Sequence, residues 1–226
     1  TDKYQPRVRK LQQQVIAHAD TKLRHIRIPD EKGPSQLAPL VAQSFHYLMN
    51  KKGHQVEFAI HNAGGVRNSL NSGDVSVADI TGKLLPFAVP IGVFEVKGET
   101  IEGMLEGAIN NALDNGVVGT GSGSFPYTHN LRFCYHKEAP LGHRVHHLEI
   151  HSEVLGWQAV SRDRVYRGAS SAYTMKGKEG YNAVLDMIGD GVVTTDSVAD
   201  CFIEFLQDHP ESLQHNEPLN CLEYFR

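Results

Sequence analysis

The chain has 226 residues, with 22 Lys+Arg against 26 Asp+Glu and a formal net charge of −4. At 40% hydrophobic and 21% charged residues it has enough apolar material for a packed core and is not composed like a disordered segment. The charge balance argues against non-specific nucleic-acid binding, which needs clustered cations, and the longest apolar run (Leu84 to Phe94, with two prolines) falls short of the roughly 20 residues of a membrane span.

The chain opens Thr-Asp-Lys-Tyr-Gln-Pro, without a charged leader running into an apolar stretch. Residues 7–24 read as an amphipathic helix, with Val8, Leu11, Val15, Ile16, Ala19 and Leu23 near a 3.6 period. Residues 28–35 have loop composition. A second helix is expected over 36–50, with Leu37, Leu40, Val41, Phe45, Leu48 and Met49 on one side and Lys51-Lys52-Gly53 as its stop. Val56, Phe58 and Ile60 alternate, so 55–60 reads as a strand.

Pro86 and Pro90 assign the apolar stretch 84–96 to a turn or a sheet edge. The clearest helix covers 99–114, where Ile101, Met104, Leu105, Ala108, Ile109, Ala112 and Leu113 form one apolar stripe. A mobile glycine-rich loop is expected at 116–124, strands near 131–136, 145–151 and 164–168, and a short helix near 182–188. Ser197 and Asp200 form a capping box for a last helix, which His209-Pro210 ends. Helices and strands mix without strict alternation, so the fold class is α+β, with mixed β-sheets and helices packed in layers. Cys134, Cys201 and Cys221 allow at most one bridge and read as buried thiols, which leaves the compartment open.

Three segments bear on chemistry. In Phe58-Ala-Ile-His-Asn-Ala-Gly-Gly-Val-Arg67 a strand runs into glycines and then an Arg. Backbone N–H groups around Gly64 can make an anion nest, Asn62 offers an amide that donates and accepts, and Arg67 offers a planar fork for phosphate or ribose oxygens. The same pattern also suits a tight structural turn with a surface Arg. Leu84-Leu-Pro-Phe87 holds a ring beside a rigid proline, and core packing explains it as well. Tyr173, followed by Gly177, Glu179, Gly180 and Tyr181, can place a ring on a base and a carboxylate on sugar hydroxyls, or simply connect two elements.

Together, in this order and spacing, the segments resemble the C-terminal domain of the 5′-nucleotidase family, which includes bacterial UDP-sugar hydrolases, and the resemblance covers essentially the whole chain. Members show Asn-Gly-Gly-Gly-Ile-Arg where this chain has Asn62-Ala-Gly-Gly-Val-Arg67, and Leu/Gln-Pro-Phe where it has Leu85-Pro86-Phe87. Val96-Lys-Gly98, Gly123-Ser-Phe-Pro126 and Ala172-Tyr-Thr-Met-Lys-Gly-Lys-Glu-Gly-Tyr181 match later family segments. The resemblance implies that Phe87 and Tyr173 clamp a nucleobase, a contact worth roughly 1–3 kcal/mol per base. It assigns Asn62 to the base region, Arg67 to ribose or phosphate, and Glu179 to the ribose hydroxyls, at the position where the family has Asp.

The departures are Ala63 and Lys178 for glycines, Glu179 for Asp, Gln36-Leu-Ala-Pro39 for an Asn-Met-Gly-Asn-type helix start, and Glu31 and Lys32 where the family often has a further Arg. The resemblance also implies a separate N-terminal metallophosphoesterase domain of the same polypeptide, holding two divalent metals through Asp-x-His, Gly-Asp and Gly-Asn-His motifs. That set is missing here: Gly189-Asp190 stands alone, and His143, His146, His147 and His151 have no acidic or Cys ligand at metal-site spacing. No catalytic residue, metal ligand or cofactor is therefore expected in this chain. Gly119-Thr-Gly-Ser-Gly123 follows a helix, so it is no dinucleotide fingerprint.

On this reading residues 1–25 are an interdomain helix and linker, and 26–226 a substrate-specificity domain for nucleotide or nucleoside. By resemblance the compartment is the periplasm or cell surface. Two rival readings use the same residues: a nucleoside-binding module without catalysis, and an interaction domain whose two rings are core.

Overall fold

The structure is a computed structural model and describes residues 9–10, 12–114, 116–117 and 120–214. Val8, Leu11, Cys221 and part of the glycine-rich loop lie outside the described residues.

The helix expected over 7–24 is not what forms at its centre. Val15–Ala19 is a strand, β1, paired antiparallel with a later strand, Gly73–Ser76, through Val15↔Ser76 and Ala19↔Gly73. A run holding adjacent β-branched residues has only weak helical preference, and pairing with a partner far along the chain overrides it. His18 Nδ1 lies 2.8 Å from Asp74 Oδ1 across this pair.

Helix α1 spans Ala38–Lys51. The Ser35 hydroxyl accepts from the backbone N–H groups of Leu37 and Ala38 at 3.2 and 3.0 Å, and Pro39 sits in the first turn, where a missing N–H costs nothing. Strand β2 is Phe58–Asn62 and β3 is the Gly73–Ser76 strand already met. Strand β4, Pro90–Lys97, corrects the expectation of a turn or sheet edge for 84–96. It is an interior strand, and Pro90 is tolerated because it is the first residue of the strand.

Helix α2 is Gly98–Leu113. The chain then forms β5 (Pro126–His129), β6 (Leu131–Tyr135), β7 (Val145–Ser152), β8 (Gly156–Ala159) and β9 (Val165–Ser171). The short helix expected near 182–188 is a 3₁₀ helix, Asn182–Asp186. Strand β10 is Val192–Ser197, and α3 is Val198–Asp208, with the expected Ser197/Asp200 capping box present. Strands β3, β5, β8 and β10 carry no alternation strong enough to announce them.

A five-stranded sheet runs β10-β4-β9-β2-β5, parallel only between β2 and β9. Every residue of β2 is buried, so both sheet faces are covered. Helices α1 and α3 pack together over one face, while α2 contacts β4 and β5 and lies between the sheet and the β6-β7-β8 meander. This is the α+β, layered arrangement expected. The sheet is tightly seated: a Cβ on Gly168 would come within 2.4 Å of the Phe58 ring and 2.9 Å of the Phe94 ring. Cys201 is fully buried on α3. Among the described residues no helix is long and apolar enough to cross a membrane.

Candidate functional site

Strand direction explains where the site forms. Because β2 and β9 run parallel, Asn62 and Ser171 finish at the same sheet end. Strand β4 is antiparallel to β9 and starts there, with Ile91 opposite Ser171, so Phe87 and Val89 arrive just before it. Strand β5 starts there too, with Pro126 opposite Asn62, which brings in Gly121 and Gly123. Strand β10 ends there, with Ser197 opposite Pro90, which adds Val198. Loops where strands meet at one end of a sheet are free to carry binding groups.

These ends enclose a cleft of about 440 Å³ lined by Asn62, Gly64, Arg67, Phe87, Tyr173 and Glu179, together with Arg27 and His61. All six residues singled out from the sequence therefore line one cavity. Phe87 and Tyr173 are 51% and 41% exposed, so neither ring is core, and the reading of both as packing residues is set aside.

Each polar group is held. Asn62 is buried, and its amide Nδ2 donates to Glu179 Oε2 at 3.3 Å and to the Gly123 carbonyl at 3.4 Å. Arg67 donates through Nη1 to the Gly64 carbonyl at 3.1 Å, and its Cζ lies 5.6 Å from the Phe87 ring centre. Glu179 has φ +54°, a left-handed conformation uncommon for a residue with a side chain. Partial burial raises the Tyr173 phenol above its usual pKa, and the charge and hydrogen bonding of Glu179 add to the rise.

A Cβ on Gly64 would come 3.1 Å from Gly123 Cα, a tight contact where two loop backbones meet. Gly65 covers His61: a Cβ on Gly65 would lie 2.3 Å from His61 Cε1. The His61 ring sits edge-on to Phe45 of α1, with centroids 5.1 Å apart. Neither His61 nitrogen has a hydrogen-bond partner, and His25 Nε2 has none either. Burial lowers the pKa of His61 to about 3 and that of His25 to about 4.

Sequence reasoning missed Arg27. The resemblance points to Glu31 and Lys32 at the place of a further Arg, whereas Arg27 lines the cleft and donates to Ser122 Oγ at 3.2 Å. An Arg a few residues earlier than the expected position was the only signal available. A wider cleft of about 720 Å³ runs along α2, but Glu99, Glu102, Glu106 and Asp114 line it against a single Arg162. Such a surface repels phosphate. The buried Glu106 is moreover engaged, accepting from the backbone N–H groups of Gly142 and Val145 at 2.8 and 2.7 Å. Among the described residues no group of three or more His, Cys, Asp or Glu is arranged to hold a metal ion.

The sequence profile described as "5′-nucleotidase, C-terminal domain" matches residues 15–186. The chain belongs to the 5′-nucleotidase C-terminal domain family. This 5′-nucleotidase C-terminal domain is 28% identical over 190 residues to the NAD 5′-nucleotidase of Haemophilus influenzae, an overlap of 81% of this chain and 31% of that protein. It is likewise 28% identical over 189 residues to a probable 5′-nucleotidase of Treponema pallidum, again covering 81% and 31%.

Among solved structures, the Haemophilus influenzae NAD nucleotidase superposes with a TM-score of 0.78 at 26% identity, covering 97% of this chain and 40% of that one. The 5′-nucleotidase precursor of Thermus thermophilus superposes with a TM-score of 0.77 at 26% identity, covering 92% and 39%. The chain thus spans about 31% of the length of these two curated relatives.

Proposed function

We propose that this chain is the substrate-specificity domain of a two-domain nucleotide phosphohydrolase. It holds the base and ribose of a nucleotide and presents the 5′-phosphate to a metallophosphoesterase domain of the same polypeptide. That domain carries two divalent metals and the nucleophile, and the whole enzyme works in the periplasm or at the cell surface.

One observation carries the reading: two half-exposed rings, Phe87 and Tyr173, share a cleft with an amide, a carboxylate and two guanidinium groups. Two rings open to water in one cleft suit a flat heterocycle, which stacks on aromatic faces. Asn62 supplies a donor and an acceptor for base edges, and Glu179 accepts from sugar hydroxyls. Arg67 and Arg27 favour the negative end of the ligand, where charge-assisted bonds are the stronger kind. On this reading these groups bind and orient the nucleotide.

Titration of the chain with AMP and adenosine, followed by NMR, tests the proposal. Saturable shifts centred on the cleft, weakened in Phe87→Ala and Tyr173→Ala, are the expected result. Binding that both variants leave unchanged overturns the clamp.

A further inference from the structure

The reach of Glu179 is set from outside the cleft. Helix α2 carries Gly103 and Gly107 one turn apart on one face. A Cβ on Gly107 would lie 2.1 Å from the Gly180 carbonyl oxygen, and a Cβ on Gly180 would lie 2.3 Å from the Gly107 oxygen and 2.8 Å from Asn111 Cβ. The turn that follows Glu179 therefore rests directly on the backbone of the helix. A second tie lies one helical turn on. Asn111 Nδ2 donates to Ser124 Oγ, and the Tyr181 hydroxyl donates to the Ser124 carbonyl at 2.8 Å. Neighbouring Gly123 in turn accepts from Asn62, which also donates to Glu179. The circuit Asn62, Glu179, Gly180, α2, Ser124, Gly123 closes on itself.

We infer that Gly107 and Asn111 are positioning residues that set how far Glu179 projects into the cleft, and thereby the preference for a sugar bearing a vicinal diol. The inference rests on the ribose reading of Glu179 given above. Its physical basis is the steepness of hydrogen bonding with distance. Any side chain at position 107 would lie 2.1 Å from the Gly180 carbonyl oxygen and must push that turn back by more than about 1 Å to reach an ordinary contact, enough to break a hydrogen bond at the tip of Glu179.

The test compares adenosine with 2′,3′-dideoxyadenosine by NMR titration of the whole chain. The unaltered protein is expected to prefer adenosine by about tenfold or more, as a bond to a charged group implies. Gly107→Ala is expected to bring the two ligands within about twofold while keeping the affinity for the dideoxynucleoside, since the rings are untouched. A purely structural defect lowers both affinities together and leaves the ratio alone, so a folded Gly107→Ala with the original ratio overturns the inference. If Gly107→Ala does not fold, Asn111→Ala decides: its ratio falls by about threefold if the inference holds, and an unchanged ratio overturns it. An unaltered protein with no preference overturns the ribose reading of Glu179 itself, and one that binds neither nucleoside overturns the proposed function.

Discussion

Asn62 and Glu179 are 117 positions apart in the chain, yet the Asn62 amide donates to the Glu179 carboxylate at 3.3 Å across the floor of the cleft. Each therefore satisfies the other. A ligand that engages both must supply an acceptor for the amide and a donor for the carboxylate, and a nucleoside supplies both from one molecule.

Removing either exposed ring should cost binding and little else. Phe87→Ala and Tyr173→Ala are each expected to weaken nucleoside binding by about 1–3 kcal/mol, the worth of stacking one base. Both side chains are largely outside the core, so the thermal midpoint should move little. Calorimetric titration beside a thermal melt checks both halves. A ring whose loss melts the protein is packing, not clamp.

The Gly65–His61 contact should behave as a tight steric pair. Gly65→Ala places a Cβ 2.3 Å from His61 Cε1, and overpacking of this kind costs about 1–3 kcal/mol. Adding His61→Ala removes the clash, so the double variant should be more stable than the sum of the two single effects. Urea denaturation of the four proteins measures the coupling, and strict additivity would show that the two sites do not meet.

Stability should fall in acid from a group of buried neutral imidazoles. Burial is the largest cause of depression for His61, His129 and His25, which fall to about 3, 3 and 4 from an ordinary 6.5. Below that ordinary value the unfolded chain takes up protons that the folded chain refuses, so the folded state is penalised. The contribution is complete above pH 6.5 and is lost as the pH drops towards 4 and then 3. Urea midpoints taken at intervals from pH 7.5 to pH 4 should decline through that window, and His61→Gln should flatten the decline. A flat profile would mean that these rings are not neutral and buried.

The chain by itself should release no phosphate from AMP with Mn²⁺, Co²⁺ or Zn²⁺, because among the described residues no group of three or more His, Cys, Asp or Glu is arranged to hold a metal ion. A malachite-green assay on highly purified protein measures this. Metal-dependent turnover that follows the chain through successive columns would overturn the division of labour between two domains.

The strongly periodic elements were legible because their patterns are local. The stripe of Ile101, Met104, Leu105, Ala108 and Ile109 is buried as expected, and the Ser197/Asp200 box caps the last helix. Strands β1, β3 and β10 were not legible, because their stability comes from partners elsewhere in the chain. Val15 to Ala19 is a strand only because Gly73 to Ser76 lies beside it. The prolines misled at β4 for a related reason: a proline forbids an interior position only where its N–H is needed, and Pro90 begins the strand.

Residue type and order alone decided which groups are present to meet a ligand: two rings, an amide, a carboxylate, a fork-shaped cation, and glycines where backbones crowd. Only the folded arrangement decided that strands running in opposite directions end together, that Arg27 joins the cavity and Lys32 does not, and that helix α2 sets the depth of Glu179. The reason is that side-chain chemistry belongs to a single residue, whereas distance between residues is fixed by hydrogen-bonded pairing and close packing among segments far apart in the chain.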